Sequence, residues 1–150
     1  MSKIETLAQC VIGWADSKNI LTKESAPRQF LKIIEESGET CQAILKNDKA
    51  KIIDGIGDMA VTIIIYSEQI DTRIDYHALF YNFNKRSHGQ IMASVLSYVI
   101  EGHPKYAFAT LHELAETFGL TLEKCLEAAW NEIKDRTGKT VNGIFVKDEA

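Results

Sequence analysis

Two acidic runs carry the residues best able to do chemistry: Glu35, Glu36 and Glu39 in "KIIEESGE", and Asp54 and Asp58 in "DGIGDMAV". Residues three or four apart on a helix are neighbours, with Cβ atoms roughly 5–6 Å apart. Glu36 with Glu39, and Asp54 with Asp58, can each bring two carboxylates to a common point. One pair alone reads as a solvated acidic face. Two pairs facing each other from adjacent helices are what a hard divalent cation requires. Magnesium takes oxygen ligands in near-octahedral geometry and keeps waters or substrate phosphates in its shell. Manganese suits the same oxygen donors.

Helices must present these acids. At about 100° per residue, Phe30, Leu31, Ile33, Ile34, Ser37, Cys41, Ile44 and Leu45 fill one broad arc of a helix predicted from about Ser25 to Lys46. Lys32, Glu35, Glu36 and Glu39 fill the rest. Ser25 is the expected N-cap, with Pro27 in the first turn. The following helix, from about Ala50 to Ile70, is apolar on nearly every side, through Ile52, Ile53, Ile56, Met59, Ala60, Val61 and Ile63 to Ile65. Such a helix belongs in a core. Burying an ionised carboxylate there is costly unless it meets a cation, a hydrogen-bond network or a shifted pKa. The "KND" break between the helices is short, which makes them antiparallel neighbours with the two acidic pairs at comparable heights. A salt bridge to a lysine is the alternative, and the facing pairs favour the cation. Gly55 and Gly57 cost helix propensity and point to close packing or room for a ligand.

The rest of the chain has a helical period and almost no strand alternation. A first helix is predicted over about Ile4–Asp16, and others over Gln90–Glu101, Tyr106–Phe118 and Thr121–Arg136, with Gly119 as a stop and Thr121 as an N-cap. One or two helices with an irregular joint are expected across Asp71–Gln90. "TVNGIFVKDEA" reads as an extended tail or a small hairpin at Asn142-Gly143. The expected fold is all-α: one domain with a four-helix-bundle-like core of antiparallel helices, additional C-terminal helices and a short extended tail.

At 150 residues, 45% hydrophobic and 25% charged, the composition is that of a globular protein with a sizeable core. A net charge of −4 argues against a nucleic-acid polymer as partner, since phosphate backbones select basic faces. Cys10, Cys41 and Cys125 lack metal-ligand spacing and are expected as reduced thiols. No signal peptide or membrane span is apparent, so a cytoplasmic location is expected.

Taken together, "KIIEESGE" and "DGIGDMAV" resemble the MazG-like nucleotide pyrophosphohydrolases of the all-α NTP pyrophosphatase superfamily. That pattern is EExxE on one helix and ExxD or DxxxD on the next. The likeness runs over about Ser25–Ile70, and "AWNEIKDRTGKTVNGIFVK" is similar to the ends of some phage and bacterial members. The resemblance implies Mg²⁺-dependent hydrolysis of a nucleoside triphosphate between its α and β phosphates, in a dimer or tetramer. Glu36, Glu39 and Asp58 match the metal ligands. Where ExxD members have glutamate this chain has Gly55, and Asp54 fits the DxxxD variant.

The water that attacks phosphorus needs a proton acceptor, for which Glu35 and Glu39 are nearest. Lys32 can hold a carboxylate or touch phosphate, or form a surface ion pair. Cations for the triphosphate are sought in Asn131, Lys134, Arg136 and Lys139, and in Lys85 and Arg86, although each alone reads as an exposed charge. Asn82 and Asn84 are possible base readers. Trp14, Trp130, Phe80 and Phe83 read as core or interface, and His77, His88, His103 and His112 as surface or capping groups. Two other functions compete: a phosphoribosyl-ATP-type or related pyrophosphohydrolase of the same superfamily, and a non-catalytic helical module that binds a divalent cation or oligomerises.

Overall fold

The computed structural model describes residues 1–80 and 85–148. The expectations placed on Asn82, Phe83 and Asn84 lie outside these residues. Among the described residues the chain forms six α-helices and one two-stranded hairpin: α1 (Lys3–Ser17), α2 (Ala26–Leu45), α3 (Lys49–Gln69), α4 (His88–Ile100), α5 (Pro104–Thr117), α6 (Leu122–Ile133), β1 (Gly138–Val141) and β2 (Ile144–Lys147). It is mostly helical, as the periodicity predicts. No described helix is long and apolar enough to cross a membrane.

The helix starts follow from local chemistry. Ser2 with Glu5, and Ser87 with Gln90, close capping boxes at α1 and α4. Asp48 and Thr121 cap α3 and α6 through their side chains, each satisfying an otherwise orphaned backbone donor. Gly119 takes a positive φ just beyond α5, a conformation that glycine adopts without a Cβ clash. Asn142 and Gly143 both have φ > 0, the requirement of a tight hairpin turn, and β1 pairs antiparallel with β2 across it.

Three expectations need correction. Ser25 precedes α2 but does not cap it: a short 3₁₀ turn, Lys23–Ser25, feeds directly into the helix. Its backbone is therefore already helical, and its hydroxyl shares a hydrogen bond with Thr22 Oγ1 at 2.8 Å. The predicted helices across Asp71–Gln90 are absent from its described part, which is irregular up to Ser87. Tertiary contacts pin it instead: Tyr76 stacks edge-on against Phe108, and its carbonyl meets the His112 ring at 2.8 Å. The apolar arc of α2 is also divided. Ile33 and Ala43 are buried, but Leu31, Ile34 and Leu45 are 60%, 44% and 83% exposed.

α3 is the central element, packed by α1, α2, α5 and α6. Ile56, Met59, Ile63 and Ile64 are fully buried with Phe108, Leu111, Leu114, Leu122 and Leu126. Each such side chain contributes about 1.5–3 kcal/mol over its exposed state. α6 packs closely on α3 at Gly57. A Cβ there would fall inside van der Waals contact of the Cys125 carbonyl oxygen and 2.9 Å from Ala129 Cβ. Backbone must move to admit it, so Gly57→Ala is expected to destabilise by about 1–3 kcal/mol. A thermal melt followed by far-UV circular dichroism checks this, and an unchanged Tm contradicts so close a contact.

Candidate functional site

The α2–α3 pair fixes the site. Gly55 lies against Thr40, Gln29 Nε2 donates to the Thr62 carbonyl at 3.1 Å, and Phe30 packs edge-on to Tyr66. As α2 numbers fall, α3 numbers rise, so the helices are antiparallel and Glu36 and Glu39 come level with Asp58 and Asp54. Gly55 is explained by this contact. A Cβ there would collide with the Thr40 hydroxyl and lie 3.2 Å from Thr40 Cα. A glutamate at 55 would force the helices apart, and the acid stands instead at Asp54, half-buried one residue earlier.

The carboxylates differ in solvation: Glu36, Asp54 and Asp58 are partly buried, whereas Glu39 is exposed. Glu36 is 13% exposed, its Oε2 is buried without a hydrogen-bond partner, and its Oε1 lies 3.7 Å from Lys32 Nζ. Burial, then the charges of Asp58 and Glu39, push its pKa up to about 7 against the pull of Lys32. Burial likewise raises Asp58 to about 6. Glu132 is the next cause, Arg136 opposes it, and Asp54 and Glu39 add to it. Burial first, and neighbouring acids second, thus disfavour the charged form of each. Burial and Asp54 together raise the Cys125 thiol to about 11, which keeps it protonated and unreactive. All three cysteines are free.

Two cavities meet at this cluster. One, of about 210 Å³, is lined by Lys32, Glu36, Asp58 and Arg136, by Gln29 and Thr62, and by an apolar set comprising Trp14, Ile20, Val61, Ile65, Ile133, Ile144 and Phe145. The hairpin supplies Ile144 and Phe145, and Phe145 stacks edge-on against Trp14 at 5.0 Å. Thr140 Oγ1 donates to the Lys18 carbonyl, tying the hairpin to the end of α1. The second cavity, of about 360 Å³, is lined by Glu39, Gln42, Ala43, Lys46, Lys51, Asp54, Gly55, Asp58 and Glu132. Asp58 belongs to both.

Of the residues expected from sequence, Glu36, Glu39, Asp54 and Asp58 are brought around these cavities, with Lys32 and Arg136 beside them. Glu35 lines neither; it is 54% exposed and bound by the Lys32 ammonium. Asn131, Lys134 and Lys139 are exposed and line neither cavity. Arg86 is committed elsewhere, in an ion pair with Glu113 and donating to Ser94 Oγ at 2.6 Å. Its pairing removes it as a free phosphate ligand, and Lys85 is simply exposed. Trp14 packs against the core and also lines the cavity.

Glu132, Lys46 and Lys51 are site residues that the sequence reading passed over. Glu132 was detectable: Cys125, Ala129, Glu132 and Arg136 recur at spacings of three and four, so they share the α6 face that packs on Gly57.

The donors suit a hard cation in kind, being oxygen only, with one buried oxygen lacking any partner and with mutual repulsion that a cation would relieve. As the side chains stand, no three Asp, Glu, His or Cys among the described residues form a group able to hold a metal ion.

No protein-family profile matches the chain, and no solved structure matches it. It is similar to an uncharacterized 18.2 kDa protein from the rep-hol intergenic region of Haemophilus phage HP1 (strain HP1c1), 33% identical over 69 residues. Those residues are 46% of this chain and 42% of the phage protein. The chain therefore spans less than half the length of that relative.

Proposed function

We propose that this chain is a Mg²⁺-dependent nucleoside triphosphate pyrophosphohydrolase of the MazG-like type, releasing a monophosphate and pyrophosphate from a (d)NTP. One observation carries the reading: a single cavity joins Glu36, Asp58, Lys32 and Arg136 to an apolar, aromatic set led by Trp14 and Phe145. A ligand with a flat apolar part and an anionic part, the description of a nucleotide, matches that lining.

Glu36, Glu39, Asp54 and Asp58 would hold the cation, with Mn²⁺ a possible substitute. When bound, it neutralises charge developing on the phosphate oxygens. The chain's own residues do the rest. Arg136, with Lys32 beside it, faces the α-phosphate, while Trp14, Phe145 and Gln29 flank the nucleoside. Water attacks the α-phosphorus, the bond to the α,β-bridging oxygen breaks, and its electron pair leaves with pyrophosphate. Glu39 accepts the water proton in preference to Glu35, because Glu39 lines the cluster and Glu35 is turned to Lys32 and solvent.

The four-helix-bundle-like core belongs to the same proposal, supported by the antiparallel α2–α3 pair and by α6 lying along α3. So does a homodimer or homotetramer. Leu31, Ile34, Gly38, Cys41 and Leu45 recur at spacings of three and four along α2, and three of them are large apolar residues left exposed.

Incubation of the protein and Mg²⁺ with a panel of (d)NTPs and phosphoribosyl-ATP tests the function. Equal amounts of pyrophosphate and a monophosphate from at least one (d)NTP are expected. Turnover of phosphoribosyl-ATP alone assigns the related activity. Orthophosphate as the product sinks the proposal and assigns a different phosphohydrolase, and no turnover of any nucleotide sinks it in favour of a non-catalytic module.

A further inference from the structure

The second cavity has no role yet, and its lining is ordered. From α2 it takes Glu39, Gln42 and Lys46; from α3 it takes Asp58, Asp54 and Lys51. On both helices the acid and the lysine are seven residues apart, about 10 Å along the axis at 1.5 Å per residue. Because the helices are antiparallel and joined by a short turn, both lysines fall at the same end, beside that turn. The cavity thus runs from the carboxylate cluster to a pair of ammonium groups.

Neither lysine is spent on structure. Among the described residues, Lys3, Lys32 and Arg86 form ion pairs with carboxylates, and Lys46 and Lys51 form none. Both are exposed, although four carboxylates line the same cavity. A lysine ending a helix is ordinarily explained by the helix dipole, which accounts for Lys46 at the end of α2. It does not account for Lys51, which stands in the first turn of α3, where a cation is disfavoured. An anion placed between the acids and the lysines, carrying a divalent cation on its acidic side, would satisfy both ends.

We propose that Lys46 and Lys51 bind the leaving pyrophosphate, so that substrate spans both cavities with its α-phosphate at Asp58. This inference rests on the proposed pyrophosphohydrolase reading and gives it a direction. The nucleoside occupies the cavity walled by Trp14 and Phe145, and the β and γ phosphates occupy the other. Asp58, shared by both cavities, stands at the bond that breaks. The flexible four-carbon stem of lysine lets each ammonium follow pyrophosphate as it separates.

Calorimetric titration of inorganic pyrophosphate with Mg²⁺ into wild type and a Lys46→Ala/Lys51→Ala double variant tests the subsite without turnover. A Lys105→Ala/Lys124→Ala variant removes the same net charge from exposed positions outside the cavity. The expected result is at least a tenfold loss of pyrophosphate affinity in the first variant, with less than a twofold change in the second. Thermal melts check that both remain folded. Equal affinity in wild type and the Lys46/Lys51 variant overturns the subsite, as does an equal loss in the two variants or no binding by wild type. A wild-type protein that hydrolyses (d)NTPs yet fails this test retains its function and loses the subsite. One that binds pyrophosphate in this lysine-dependent way but hydrolyses no nucleotide retains the subsite and loses the function.

Discussion

Asp58→Asn is expected to lower kcat for (d)NTP hydrolysis by on the order of 10²–10³-fold, the scale seen when one preorganised electrostatic group is removed from a reaction centre. Asp58 is the one acid common to both cavities, so it serves the reacting phosphate whichever cavity holds the nucleoside. Asparagine keeps the volume and removes the charge. The acid is also held against burial and against Glu132, Asp54 and Glu39, so the metal-free variant should be at least as stable as wild type. A folded, equally stable and inactive protein is the signature of a functional acid, whereas a structural ion-pair partner would lower Tm when removed. Pyrophosphate-release kinetics and a melt decide between them. Activity within threefold of wild type places the chemistry elsewhere. Glu39→Gln should lower kcat similarly, since it removes the proton acceptor as well as a proposed ligand.

Metal-free protein is expected to lose stability as pH rises from about 4 to about 8, by a few kcal/mol, or roughly 5–10 °C in Tm for a chain of this size. Glu36 and Asp58 rise from ordinary values of 4.5 and 3.8 to about 7 and about 6 on folding. Between those limits the folded chain binds more protons than the unfolded chain, so stability falls with rising pH. Only above about pH 8 are both ionised in either state, and there this dependence ends. The groups facing the pair are Lys32, Glu35 and Glu39 on α2, Asp54 on α3, Glu132 on α6 and Arg136 just beyond it; the two cations are too few to cancel the acids. Mg²⁺ should therefore raise Tm more at pH 8 than at pH 5, where protons already relieve the repulsion. Glu36→Gln should flatten the pH profile and raise Tm of the metal-free protein at pH 8. Melts in chelator across this range, with and without Mg²⁺, measure all three effects. A metal-free Tm that holds constant or climbs with pH contradicts the repulsive cluster.

Much of this was legible in the sequence because helices advertise themselves locally. The apolar period, the cap at Thr121 and the Asn142-Gly143 turn are short-range features, and α2 and α3 end within a residue of where the pattern puts them. The facing of Glu36 and Glu39 towards Asp54 and Asp58 was legible as well, since a short connection leaves two helices little choice but to lie antiparallel. Where local pattern was weak, between Asp71 and Ser87, helices were expected that the described residues do not form. The Phe108 ring and the His112 imidazole hold Tyr76 there, and both lie over thirty residues away.

Tertiary structure alone decided which remote groups join the acids. The hairpin brings Phe145 onto Trp14, and Glu113 takes Arg86 out of the pool of free cations. Gly57 lets α6 close on α3, which delivers Glu132 and Arg136 to Asp58 while leaving Asn131 and Lys134 outside. Gly55 illustrates the division. From sequence it was close packing or room for a ligand; the fold decides for packing, where α2 passes over α3 at Thr40. Sequence determines which side chains share a helix face, because that depends on a repeat of 3.6 residues. Which faces meet depends on how closely backbones approach, and that is a property of the packed chain.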